Sequence, residues 1–286
     1  MPFIERPDGA RIHYQTWGPE DGATPLLLIA PGGVRSEIGF WHRGDIDPTR
    51  EFADERMVIG MDQRHAGESW DAPLEFSYEL ALGDQLAVLD ALGVERAHVM
   101  GGCIGVAFLL RMVRDAPDRV ASGVGQNPVG IDHTNSRETF MDMFRPTVAL
   151  ARAEGMAAVV ASALEDPQFV TNNDGGPFSR RIEVNPVFRD EIAAMAPADY
   201  VALVERLGDA YWPDDPPYFT VGEEWLRGCP APLLILPGSD PFHPTSIAER
   251  ICAEAPHARC LSVDCRAPAN LPATLEEIRS FLRAHS

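Results

Sequence analysis

The stretch His98-Val99-Met100-Gly101-Gly102-Cys103-Ile104-Gly105-Val106-Ala107 constrains this chain more than any other. Val99 and Met100 end one apolar run, and a second, mostly apolar run extends from Val106 to Val113. Between them, glycines at 101, 102 and 105 bracket a single reactive side chain, Cys103. The pattern predicts strand, sharp turn, helix. A residue thrown outward on so tight a turn needs neighbours with little or no side chain. The following helix would aim its N-terminus at the sulfur. Its dipole and the N–H of Ile104 would then favour a thiolate or an oxyanion. The competing reading is a buried structural cysteine at an ordinary glycine-rich turn, since free Cys is among the most buried residue types.

Apolar runs recur along the chain. Ala10 to Trp17 alternates between two turn signals and predicts an edge strand. Pro25 to Ala30, Met57 to Met61, Val120 to Gly125, Pro232 to Leu236 and Ala258 to Val263 predict further strands, most of them apolar throughout, as strands buried on both faces are. Helical spacing marks Tyr78 to Leu92, Ile247 to Ala253 and Leu275 to Leu282. Alternation of this kind predicts a doubly wound, mostly parallel sheet. The rhythm breaks between Ile131 and Trp225. There, helical stretches (Phe140 to Leu164, Glu191 to Leu207) flank a polar Asn172-Asn173-Asp174-Gly175-Gly176 loop. The aromatics Tyr211, Trp212, Tyr218, Phe219 and Trp225 follow. The expected organisation is a core of residues 1–130 and 226–286 with an inserted helical cap at 131–225.

Net charge removes several partners. At −19, with 43 acidic against 24 basic residues, the chain is repelled by nucleic acid and by anionic membrane surfaces. No 18-residue apolar run and no secretory leader is evident, so a cytoplasmic protein is expected. All 24 basic residues are Arg, which excludes a lysine base or Schiff base. Five cysteines (103, 229, 252, 260, 265) without C-x-x-C spacing predict reduced thiols rather than a disulfide framework or a zinc site. No cofactor or metal motif is visible.

These segments together resemble the α/β-hydrolase superfamily over nearly the whole chain. Gly101-Gly102-Cys103-Ile104-Gly105 stands where the family has its nucleophile elbow, and Pro31-Gly32-Gly33 stands at its oxyanion loop. Asp62-Gln63-Arg64-His65-Ala66-Gly67-Glu68-Ser69 is similar to the family's Asp-x-Arg-Gly-x-Gly-x-Ser stretch. Leu236-Pro237-Gly238-Ser239-Asp240 is similar to the strand end that carries the acid. More narrowly, the elbow together with Gly-Ser-Asp-Pro-Phe-His-Pro resembles a bacterial subgroup with Cys in the elbow. Dienelactone hydrolases share only that Cys. The resemblance implies an α/β-hydrolase fold with a cap.

The chain departs from the family at one place. The family puts its catalytic His in the loop after the last strand, but here Asp264-Cys265-Arg266-Ala267-Pro268-Ala269-Asn270-Leu271-Pro272 has none. Ligands in such sheets bind at the carboxyl ends of the strands. That leaves His42, His65, His133 and His243 on the site side, with His13, His98, His257 and His285 elsewhere. His243, three residues past Asp240, is the candidate base; a solvated loop histidine is the alternative. Asp240 would orient it, with Asp264 as a rival. Backbone N–H groups of Ile104 and of Gly33 or Val34 would stabilise negative charge. Asp62, Gln63 and Asn127 also lie at strand ends and are expected to be structural.

Three functions remain open. The leading one is hydrolysis of a small, largely apolar ester, lactone or thioester through an acyl-Cys103 intermediate. The second is an acyltransferase or cyclase using the same Cys. The third is a hydrolase-fold binding protein that lacks catalysis. The only partner expected is the small-molecule substrate, with a homodimer left open.

Overall fold

The computed structural model describes residues 2–169 and 171–286. Its eight strands are β1 (Phe3–Glu5), β2 (Arg11–Trp17), β3 (Ala23–Ile29), β4 (Arg56–Met61), β5 (Ala97–Gly102), β6 (Val120–Gln126), β7 (Leu233–Leu236) and β8 (Ala258–Cys260). They form one sheet in the order β1-β2-β4-β3-β5-β6-β7-β8. The β1–β2 and β2–β4 pairs are antiparallel, and every pair from β4 to β8 is parallel.

The apolar runs explain this layering. All residues of β4, β5, β6 and β7 are buried, because helices cover both faces. One face packs Leu27, Ile29, Val99 and Ile235 against the helix Ile104–Asp115 and its neighbours. The other packs Leu26, Leu28, Met100 and Leu234 against Ile278, Phe281 and Leu282 of the closing helix Leu271–Ala284. Each such Leu or Ile contributes about 1.5–3 kcal/mol when fully buried, so register slips that swap the two faces are strongly disfavoured.

Between β6 and β7 the chain leaves the sheet. Its longer helices there are Arg145–Glu154, Met156–Glu165, Pro186–Ala194 and Pro197–Tyr211. Among the described residues, no strand interrupts this insertion. Asn172 to Gly176 is a loop, as its composition demands.

Three expectations need correction. Ala10 to Trp17 is not the sheet edge: β1, only three residues long, pairs outside it. So short a strand has too few residues to show alternation. The last strand ends at Cys260 rather than Val263, and the chain then turns away over residues 263–266. The cysteines are not all reduced, because Cys252 and Cys260 form a disulfide. Cys252 lies near the end of the helix Thr245–Glu254, and the turn into β8 brings the two Cα atoms to 6.0 Å, within bridging range. Cys103, Cys229 and Cys265 are free. Thiol titration in denaturant should therefore count three groups before reduction and five after; five without reductant would refute the bridge.

No helix among the described residues is long and apolar enough to cross a membrane.

Candidate active site

Cys103 is the first residue after β5 and caps the helix Ile104–Asp115. Its backbone is held at φ 54°, ψ −121°, a conformation that L-residues rarely adopt and that persists only when the surroundings impose it. Here they do. The Cys103 N–H donates to Gln126 O at 2.8 Å, and the Cys103 carbonyl accepts from Val106 N–H at 3.0 Å. Two glycines make room for the turn. A Cβ on Gly101 would lie 2.3 Å from Gly105 O, and one on Gly105 would lie 2.3 Å from Ile29 O. Both contacts are with backbone, which cannot yield. Gly105→Ala should therefore cost about 3 kcal/mol or more, as severe overpacking does. Urea unfolding checks this, with Gly228→Ala as the control: its added Cβ meets nothing nearer than 3.7 Å, so its midpoint should barely move.

His243 and Asp240 share the loop after β7. The Asp240 carboxylate accepts from the N–H groups of Phe242 (2.9 Å) and His243 (3.0 Å). Those bonds curl the loop so that residues three apart face each other. His243 Nδ1 then lies 2.8 Å from both Asp240 carboxylate oxygens. Gly238 permits the curl, since a Cβ there would stand 2.5 Å from His243 Cβ. The His243 Nε2 is buried and has no hydrogen-bond partner, and Cys103 lies close enough for its charge to act on the imidazole. Burial works against a charged imidazole. The attraction of Cys103, and then the hydrogen bond and charge of Asp240, outweigh it and raise the His243 pKa to about 9. Partial burial pushes the Asp240 carboxyl up, but its bonds to His243 and the loop amides bring it below the ordinary value.

The other histidines lie elsewhere. Burial, partly opposed by a hydrogen bond to Glu75 O, brings the His65 pKa down to about 4. His42 pairs with Asp47 and His133 is exposed. His13 is buried and lies 2.7 Å from Asp62, whose other oxygen accepts from Ile38 N–H. Asp62 is thus occupied in holding the β2 and β4 ends together. Gln63 packs against Gln85. Asp264 is exposed and bonded to Ser262, so it does not orient His243.

Cys103 and His243 open into a cavity of about 700 Å³. Gly33, Val34 and Ile104 also line it. Gly33 and Val34 begin a short 3₁₀ turn, Ile104 begins a helix, and the N–H groups at such starts have no internal acceptor. The insertion supplies the opposite wall with Phe140, Phe144, Tyr211 and Trp212. Tyr211 is the best anchored of these. It stacks on Phe76 at 3.7 Å between ring centroids, its carbonyl accepts from Tyr78 Oη, and its ring rests on Gly33. Phe140 stacks on Trp212 at 4.5 Å. Tyr218, Phe219 and Trp225, grouped with these aromatics in the sequence, do not line the cavity. Gln126, Asn127 and Arg266 do, and sequence reasoning missed the first and last of them as site residues. Arg266 had a signal, since it lies in the very loop from which the histidine is missing. Among the described residues, no cluster of three or more His, Cys, Asp or Glu could hold a metal ion.

A family model for the alpha/beta hydrolase fold matches residues 25–266. The chain belongs to the alpha/beta hydrolase fold family. It is 34% identical over 131 residues to a protein named carbamate hydrolase RutD from Variovorax paradoxus, a match covering 45% of this chain and 47% of that protein. The chain spans about half the length of the curated relatives it matches. Among solved structures it is similar to a hydrolase from Pseudomonas aeruginosa (TM-score 0.63, 21% identity, covering 98% of this chain and 97% of that one). It is also similar to the enol-lactonase of Burkholderia xenovorans LB400 (TM-score 0.62, 17% identity, covering 99% and 100%). At such identities the likeness is one of fold. Residues 264–272, the loop where the resemblance places the family's histidine, contain none.

Proposed function

We propose that this chain hydrolyses a carboxylic ester, lactone or thioester through a Cys103 acyl-enzyme. The observation that carries the reading is His243, held by Asp240 through Nδ1, with a buried and unpartnered Nε2 in the cavity it shares with Cys103. Nucleophile, base and orienting acid in a line are the arrangement that nucleophilic catalysis requires. His243 already carries the proton as the Cys103 sulfur attacks the carbonyl carbon. The carbonyl oxygen becomes an oxyanion facing the N–H groups of Ile104 and of Gly33 or Val34. Collapse expels the alkoxide or thiolate, which leaves with the proton from His243. Water then gives a proton to His243 and attacks the thioester, and the thiol returns as the acid departs.

Named hydrolases among the relatives support this reading, and so does the apolar cavity, which suits a small acyl group. The helical insertion acts as the cap that excludes bulk water from the acyl-enzyme. The pair beside Cys103 favours catalysis over a purely binding role. Mass spectrometry after mixing with a 4-nitrophenyl ester tests the proposal. An acyl mass increment on the peptide carrying Cys103, decaying as free acid appears, is expected. Turnover with no adduct, and undiminished by the loss of that thiol, would overturn it.

A further inference from the structure

The lining of the cavity carries polar atoms that the acyl-transfer scheme does not use. Gln126 Nε2, Asn127 Oδ1 and Arg266 Nε are buried and have no hydrogen-bond partner. Gln126 ends β6, Asn127 follows it, and Arg266 lies in the loop after β8; all three line the cavity with His243. Gln126 as a residue is only 8% exposed. A buried donor left unpaired has lost its bonds to water without compensation, and a charged one loses more. Such atoms therefore mark a position where a ligand group belongs.

Arg266 decides the kind of group. Its sole internal contact is a long one, from Nη2 to Pro237 O at 3.4 Å. Among the described residues no carboxylate pairs with it, in a chain whose carboxylates outnumber its cations 43 to 24. Arg43, also on the cavity wall, is by contrast paired with Glu37 at 3.0 Å. An unpaired guanidinium in a largely apolar cavity is a site for a planar anion, which it grips through two parallel N–H bonds. Gln126 Nε2 adds a neutral donor to the lining of the same cavity. The net charge of −19 would otherwise repel an anionic substrate, so a local cation is what such a substrate requires.

We propose that the substrate carries a free carboxylate, bound by Arg266 with Gln126, so that the enzyme acts on half-esters or acidic lactones in preference to neutral ones. This rests on the acyl-enzyme reading for its chemistry but not for its binding.

Two measurements separate the two. In the first, glutarate is tested for protection of Cys103 against alkylation by iodoacetamide, with neutral glutaramide as the comparison. Protection by glutarate alone, lost in Arg266→Gln and partly kept in Arg266→Lys, is expected. In the second, mono-4-nitrophenyl glutarate is compared with 4-nitrophenyl pentanoate. Arg266→Gln should lower the ratio of kcat/KM for the acidic ester to that for the neutral ester tenfold or more, mainly through KM for the acidic ester. Thermal melting confirms that the variant is folded. Equal protection by glutarate and glutaramide, or protection that survives Arg266→Gln, overturns the inference even if neutral esters are turned over. Arg266-dependent protection with no ester hydrolysed overturns the acyl-enzyme reading and leaves the carboxylate site standing.

Discussion

Replacing Cys103 by Ala abolishes the acyl adduct and lowers kcat by a factor of about 10⁴ to 10⁶, the range seen when a covalent nucleophile is removed. The variant should remain folded. Ala keeps the β-carbon that the strained turn already accommodates, and Cys103 is only half-buried. Substrate binding should survive, so the loss falls on kcat and not on KM. Cys103→Ser is the stricter test. It restores a hydroxyl at the same φ of 54° but offers His243 a far less acidic proton. Activity should stay at least about a hundredfold below wild type, because a hydroxyl gives up its proton far less readily than a thiol. Full activity in the Ser variant would show that the imidazole is an ordinary base. Full activity in the Ala variant would remove Cys103 from the chemistry. The first outcome would revise the role of the pair, the second would end it.

His243→Ala should slow both ester turnover and Cys103 alkylation at pH 7, turnover by about 10³-fold or more, as loss of a general base does when the nucleophile depends on it. The pH dependence distinguishes this from a packing defect. The His243 pKa is raised to about 9, so the imidazolium that favours a neighbouring thiolate persists through the neutral range and disappears above it. The ratio of wild-type to variant alkylation rates should be large below pH 9 and fall towards one as pH rises through it. The same shift has a stability consequence of fixed sign. The folded chain holds this proton more tightly than the unfolded chain, whose histidine titrates near 6.5. The contribution is full below pH 6.5 and is lost as pH climbs through 9. A flat rate ratio across pH 6 to 10 would sink the pairing. Asp240→Asn, which keeps the loop bonds to the Phe242 and His243 amides but removes the charge, should fall between wild type and His243→Ala.

The sheet was legible because its central strands are apolar on both faces, a pattern that few other structures tolerate. Gly101, Cys103 and Gly105 were legible for a different reason. Backbone approaches of 2.3 Å leave glycine as the one residue that fits, and the spacing records that. His243 could be singled out by the side of the sheet on which it falls. The sequence names Asp240 as its partner with Asp264 as the rival, and the choice between them rests on a loop curled by two amide bonds to a side chain. The three-residue β1 and the Cys252–Cys260 bridge were missed since neither has a periodic trace. Arg266 and Gln126 were missed because an unpaired donor is a property of what surrounds a residue. Nothing local in the sequence says that a particular arginine will find no carboxylate.

Tyr211 ends the helix Pro197–Tyr211 and is fixed on three sides, by Phe76, Tyr78 and Gly33. That end of the roof is a hinge post rather than a door edge. The two large apolar side chains left exposed at the cavity are Phe40 and Phe242. An end pinned on three sides does not lift, so the Tyr211 wall of the cavity keeps its place whatever the rest of the insertion does.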